Sequence, residues 1–411
     1  MSEWAYKKLD EYVRTGQIEL GRGNIISKLD IEACPGPYPI YSSSAQGDGK
    51  FGEYGKFMFD EELVSWSVDG GGNFFYRPKH QFSVTNVSGF LRIKTKELGY
   101  RFLYYSLALQ HRDISFDYTT KAHPSVIRKL YSIPSIPKHE QDRIVGVLST
   151  LDETIGQTEA LIVKYQQIKA GLMHDLFTRG VTPDGHLRPT REQAPHLYKE
   201  SPLGWIPKEW EVSTLGESCE WFSGGTPSRS KSEWWSGDFP WLTPKDMKAF
   251  ELSDTSEHIT KEAALFGSRV VSAGTVFIVV RGMILAHSFP VVLGLKDFAF
   301  NQDIKAVQAV NRLGSRFLAY WFVGHTDLFL RKTTEATHGT KRFDLQDISK
   351  VSIGLPKPDE QNAIVSRLDS ISMRIDSEQA LVAKLRQKKH GLMHDLLTGR
   401  VRVKVAETAS I

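Results

Sequence analysis

The chain has 411 residues, 40% of them hydrophobic and 24% charged, with a formal net charge of +4. At ~150 residues per domain this length exceeds a single domain, and the composition excludes a disordered or collagenous chain. No apolar run of ~18 residues is present to cross a bilayer, and the N-terminal MSEWAYKKLDEYV carries charges where a signal peptide needs an apolar stretch.

Residues 1–138 form a first globular segment, rich in Gly, Ser, Thr and aromatics. NVSGFLRIK near Val87 has strand composition, and RFLYYSLALQ from Arg101 predicts a helix. Cys34 here and Cys219 further on are far apart and too few for a zinc site, so a reducing cytoplasm is the expected setting. GDGKFG (Gly47 to Gly52) matches G-x-G-x-x-G, but strand-like EYGKFMF follows where a dinucleotide loop must open a helix. It reads as a glycine-rich loop. YSSSAQGDGK, RPKHQ and TTKAH combine small residues, hydroxyls and cations. Such loops suit a phosphate backbone, which makes Ser43, Ser44, Lys50, Lys79, His80 and Lys121 candidates for DNA contact. The alternative for each is a solvated polar loop.

Residues 139–178 predict the first of two long helices. Pro137 stands just before it, Glu140 and Asp142 suit the N-terminal dipole, and Gly180 follows the last periodic residue as a cap. Apolar residues recur at Ile144, Leu148, Leu151, Ile155, Ile162, Tyr165, Leu172 and Leu176, in the alternating four-and-three step of a heptad stripe. Thr158 and Lys169 interrupt it. Residues 179–205, with several prolines and little periodicity, read as an extended linker leading into a docking stretch, WIPKEW.

Residues 206–357 form a second globular segment, also mixed α and β, with a strand at GTVFIVV and a helix at SRFLAYWFVGH. It shows no recognisable similarity to the first segment before its final stretch. FSGGTPSRSKSEWWSGDFPWLTPKDMK mixes glycines, hydroxyls and cations with tryptophans. It offers Thr226, Ser228, Arg229, Lys231 and Lys245 as DNA candidates, and THGTKR adds His338, Thr340 and Lys341.

Residues 358–400 predict the second long helix, followed by a tail, 401–411. Shifting the sequence by 220 (360 − 140) lays EQDRIVGVL on EQNAIVSRL, and the match runs without a gap from Glu140 to Val181. The second stripe is Ile364, Leu368, Ile371, Ile375, Val382, Leu385, Leu392 and Leu396, broken at Glu378 and Lys389. Both stripes break at the same heights, so the helices are expected to lie against each other, antiparallel or side by side, or against the same kind of partner. The chain is a duplicated domain plus helix, with like supports and unlike readers.

Catalytic signatures are missing: no P-loop, no H-E-x-x-H, no G-x-S-x-G. His174-Asp175 and His394-Asp395 recur, but adjacent helical residues face different ways, which favours capping or subunit contact over a catalytic dyad. Two other readings stay open, a coiled-coil scaffold and a fused DNA-modifying enzyme.

IPSIPKHEQDRIVGVL, SPLGWIPKEWEV, GGTPS…WWSGDFPWLTPKDM and THGTKRFDLQDISKVSIGLPKPDEQNAIVSRL, in this order, resemble the specificity subunit of Type I restriction–modification systems. The resemblance covers nearly the whole chain. It implies an α+β fold of two target-recognition domains separated by two long helices that form an antiparallel coiled coil, in a pseudo-two-fold duplicated architecture. It implies double-stranded DNA as ligand, each domain reading half of a bipartite target. It implies docking of two modification (methyltransferase) subunits and two restriction subunits, with Glu140, Gln141, Leu172, His174, Glu360, Gln361, Leu392 and His394 marking the docking helices. Catalytic residues and metal are expected to be absent from this chain. S-adenosylmethionine, ATP and Mg would belong to the partner subunits.

Overall fold

The computed structural model describes residues 4–43, 47–69, 71–114, 116, 121–335 and 340–403. Two compact units divide the chain. One joins Met1–Ala160 to Gln379–Ile411, and the other is Leu161–Glu378. Each therefore holds one globular domain, the start of that domain's own long helix and the end of the other.

The helices are Lys138–Thr178 and Pro358–Thr398, 41 residues each. Every residue of both heptad stripes is buried or half-buried, and the polar breaks Thr158 and Glu378 are only 9% exposed. Gly180 and Gly399 end the helices at φ +62° and +77°, the left-handed region where glycine costs least. Within the first unit the helix segments run antiparallel: Arg386 pairs with Glu159 at 2.6 Å and Lys389 with Asp152 at 2.5 Å. Within the second, Arg374 lies over the Tyr165 ring, and Val181 N–H, just past the end of the first helix, donates to Glu360 in the first turn of the second. The direction is again antiparallel.

In the first unit, a six-stranded sheet has the order Ile18–Arg22, Ser88–Ile93, Phe59–Ser67, Phe74–Val84, Tyr38–Tyr41, Lys50–Tyr54. The helix Tyr100–His111 buries Phe102, Leu103 and Tyr105 in the same core as Trp66. A Cβ at Gly89 would lie 2.1 Å from the Trp66 indole, so only glycine lets this tryptophan cross the neighbouring strand. No helix follows GDGKFG, but the strand there, Lys50–Tyr54, starts inside the motif, and of EYGKFMF only Glu53, Tyr54 and Phe59 are in strands.

In the second unit, a five-stranded sheet (Cys219–Ser223, Ile304–Ala309, Val276–Val279, Val291–Gly294, Glu251–Leu252) accompanies a four-stranded one (Glu257–Ile259, Phe239–Leu242, Phe298–Phe300, Val270–Val271). The helix Ser315–Gly324 buries Phe317 to Phe322 in the main core.

The two domains resemble each other further than one fixed shift reveals. LGYRFLYY (Leu98 to Tyr105) matches LGSRFLAY (Leu313 to Tyr320) at a shift of 215 (313 − 98), and Trp4…Leu9 matches Trp210…Leu215 at 206 (210 − 4). The two tryptophans differ in partner, Trp4 donating to the Leu396 carbonyl and Trp210 to Glu360, but the matched glycines and the glutamines of the long helices do matched work. The Gln141 amide donates to the carbonyls of Glu97 and Ile136 and accepts from Gly99 N–H at 3.0 Å. Gln361 donates to Arg312 and Pro356 and accepts from Gly314 N–H at 2.8 Å. Each glutamine thus ties the first turn of a long helix to the loop that opens its domain's main helix.

Residues 179–205 are not the extended linker their prolines predict. Val181 bridges Leu187, and Tyr198–Ser201 pairs with Gly204–Pro207 as a hairpin. The cause is Arg188, which is 5% exposed. It donates to both carboxylate oxygens of Glu360 and to Glu209, while its carbonyl accepts from Arg179. Val181 N–H and the Trp210 indole complete the shell around Glu360. A buried arginine and its partners hold the segment that sequence periodicity leaves blank.

Candidate nucleic-acid interface

In the second unit, two motifs far apart in sequence meet at one end of the five-stranded sheet. Gly224 and Gly225 pass close to the turn after Phe298–Phe300: Gly225 N–H donates to the Phe300 carbonyl, and a Cβ at Gly224 would lie 2.1 Å from that oxygen. The loop then places Thr226, whose hydroxyl donates to Gln302 Oε1 at 2.6 Å. Beyond Gln302, Asp303 accepts from Arg281, and Arg281–Gly282 pairs with Lys341–Arg342. The turn 301–303 therefore joins the glycine-threonine-proline loop to the end of THGTKR. Lys305, in the same strand end, bonds to Ser223, and burial lowers its ammonium below the usual lysine range.

Other candidates in this unit are held by neighbours. Arg229 lies 3.4 Å above the Trp235 ring and donates both terminal nitrogens to Glu257 at 3.0 Å. Lys231 stands 3.9 Å over Trp234, and Ser228 bonds to Ser230. These fixed cations cost less entropy to order than free ones. Lys341 pairs with Glu335, Thr340 is half-buried, and Lys245 is exposed. His338 lies outside the described residues. Arg281 and Gln302 carry no sequence signal of their own; only the strand pairing and the turn bring them in.

In the first unit, Ser43 bonds to the Val87 carbonyl and accepts from Ser67, while Thr85 donates to Ser42. This seats the hydroxyl loop on the turn 85–87. Lys121 pairs with Asp69, whose N–H donates to Ser43 Oγ. His80 stacks on Phe82 and meets the Tyr41 hydroxyl at 3.2 Å. Lys50 pairs with Glu53, which raises its ammonium above the usual lysine range, and Lys79 is exposed. Ser44 lies outside the described residues. Arg77, the first residue of RPKHQ, is instead 4% exposed beneath the Tyr41 ring and bonded to Ser65 and the Asp48 carbonyl. Burial pushes its guanidinium down to about 10, and it braces the Tyr41–Lys50 region from below.

Of the docking residues, Gln141 and Gln361 are buried and their amides are spent inside their units, as is the Glu360 carboxylate. Glu140 stays half-exposed beside Arg143. Leu172 and Leu392 are half-buried, His174 is exposed and His394 is half-exposed, so the GLMHDL ends are not fully covered within their units. Among the described residues, no helix is long and apolar enough to cross a membrane.

Two unlike polar surfaces on two like supports define the class: a two-domain reader of nucleic acid. The family follows from comparison with known proteins. Residues 1–166 and 207–387 match the family Type I restriction modification DNA specificity domain, and the chain belongs to it. It is 31% identical over 213 residues to the Type I restriction enzyme EcoR124I/EcoR124II specificity subunit of Escherichia coli, a match over 50% of this chain and 52% of that protein. It thus matches about half the length of that relative. It is 25% identical over 422 residues to the MjaVIII specificity subunit of Methanocaldococcus jannaschii, across 96% of this chain and 93% of that one. The fold is similar to the crystal structure of the Type I S subunit from M. genitalium, with TM-score 0.58, 18% identity and coverage of 98% and 97%. With two such domains, the chain is a DNA specificity subunit of the Type I restriction–modification kind.

Proposed function

We propose that each domain reads one half of a bipartite DNA target, and that the paired helices set the unread spacer and dock two modification subunits. The observation that carries this is the pairing of like with unlike. The glutamine clamps at Gln141 and Gln361 repeat atom for atom, while the polar loops differ between domains. Identical partners need identical supports; two different half-sites need different readers.

The chain's own work is recognition without covalent chemistry. Hydroxyls and cations fix register on phosphates, and a few side chains read base edges. Methyl transfer, with S-adenosylmethionine, belongs to the modification subunits. ATP- and Mg-dependent translocation and cleavage belong to two restriction subunits. The setting is the cytoplasm, where the DNA lies. A 41-residue helix spans about 60 Å, or about 18 base-pair steps, room for two short half-sites and a gap.

The test is protection. The chain with a modification partner should protect one split sequence from a matched nuclease, and equal protection of random DNA would sink the reading. Deleting four residues from one helix should change the preferred spacer and leave the half-sites alone. Altered half-sites would contradict the ruler.

A further inference from the structure

Among the described residues, the four most exposed large apolar side chains are Phe266 (79%), Ile25 (77%), Leu29 (75%) and Leu265 (67%). They fall as one pair in each domain, and each pair lies beside that domain's polar loop.

In the second domain, the helix Lys261–Gly267 is turned the costly way round. Ala263 and Ala264 are buried against Trp241 and Ile259, while Leu265 and Phe266 face water. The next residue, Gly267, abuts the loop: a Cβ there would lie 2.9 Å from Pro227 and 3.1 Å from Trp234. Ser268 then donates to the Phe300 carbonyl that also holds Gly225. So Phe266 stands at the shoulder of the loop that carries Thr226. An exposed cation, Arg269, follows, its guanidinium 5.4 Å over the Phe222 ring.

The first domain repeats the arrangement with unrelated residues. Ile25 and Leu29 flank Ser27, which caps the helix Lys28–Ala33 in a capping box with Asp30. Just before them, Arg22 donates to the Asn86 carbonyl and Asn24 bridges Thr85, whose hydroxyl bonds to Ser42. The pair thus borders the turn that seats Ser43.

We propose that each pair is an apolar wedge that enters the DNA at its domain's half-site. The proposal rests on the half-site reading above. DNA is the occupant because each pair adjoins hydroxyls and cations suited to phosphates. Apolar side chains set among such groups enter between base steps, kinking the duplex, or cover thymine methyl groups. The two pairs sit on different local structures, one within the helix Lys261–Gly267 and the other around the N-cap of Lys28–Ala33.

The test uses the full chain with Leu265 and Phe266 both changed to Ser, and separately with Ile25→Ser and Leu29→Ser. Both pairs are exposed, so the variants should melt as the wild type does. The probe is a duplex carrying the split sequence found by methylation profiling, with dyes at its ends to report bending. Each variant should bind at least about tenfold more weakly, bend the duplex less and relax preference at one half-site only. The slope of log affinity against log salt should stay at the wild-type value, because no phosphate contact is lost. Wild-type affinity and bending in both variants would overturn the wedge. So would intact DNA binding with loss of capture by the modification subunit, which would make the pair a protein-docking surface. A wild-type chain that prefers no sequence overturns the half-site reading itself, and the two failures are told apart by that control.

Discussion

Arg188 holds Glu360 by both carboxylate oxygens, across 172 positions of sequence and with only 5% of its own surface exposed. Truncating one partner of such a pair leaves a buried charge alone, at a cost of about 3–5 kcal/mol. Glu360→Ala is therefore expected to lower the melting temperature and to open residues 179–205 to proteolysis. Because Val181 N–H and the Trp210 indole also lose their acceptor, Arg188→Ala should be no worse than Glu360→Ala. Limited proteolysis beside a melting curve checks both.

The glutamine clamps predict a matched pair of defects. Gln141→Leu leaves the Gly99 N–H and the Glu97 and Ile136 carbonyls to find new partners; only the bond to Ile136 is fully buried, so the cost is about 1–3 kcal/mol in all, that of one buried group left unpaired. Gln361→Leu does the same to Gly314, Arg312 and Pro356. The two effects should be similar in size and additive in the double variant, as for sites without shared partners. Denaturant melts of the two single variants and the double variant measure this.

Acid should weaken the second unit through His325. Burial lowers its pKa, the Trp321 carbonyl accepting from Nδ1–H opposes that, and nearby His174 adds to the lowering. A histidine with a depressed folded pKa stabilises the fold as the neutral ring. That contribution is complete above the unfolded value of ~6.5 and is lost as pH falls from there toward the folded value, because the unfolded chain takes the proton first. The melting temperature should fall over this window, and His325→Gln should flatten the fall. An equal pH slope in the variant would contradict this source.

Lys341 and Lys79 test the electrostatic part of DNA binding. Lys341 shares its strand pairing with Arg281, and Lys79 is exposed beside His80. Replacing either by Ala should weaken binding to all duplexes alike and reduce the salt slope by about one. This is the opposite signature to an apolar contact. Titrations at several salt concentrations distinguish them.

The helices were legible because a heptad stripe repeats on a fixed period, and burial of Ile144, Leu148, Ile364 and Leu368 is what that period demands. Polar breaks at equal heights made a pairing legible, while its antiparallel direction came only from the family resemblance. The likeness of the domains was hidden because loops of unequal length move it to shifts of 215 and 206, away from the helices' 220. The interface was half legible. Glycines, hydroxyls and cations marked the loops around Thr226 and Ser43. The turn that joins Thr226 to Lys341, and the burial of Arg77, depend on strand pairing that no local pattern encodes. Gln141 and Gln361 stood out as repeated residues, but only their geometry shows that they clamp the domains from within.

If each domain reads its own half-site, damage to one reader must leave the other half of the target intact. Methylation profiling of DNA from cells carrying the system tests this most directly, comparing the natural chain with one in which Thr226, Ser228, Arg229 and Lys231 are all changed to Ala. A split methylated sequence is expected for the natural chain, and for the variant a relaxed second half beside an unchanged first half and spacer. An unbroken recognition sequence, or equal loss of both halves, would contradict it.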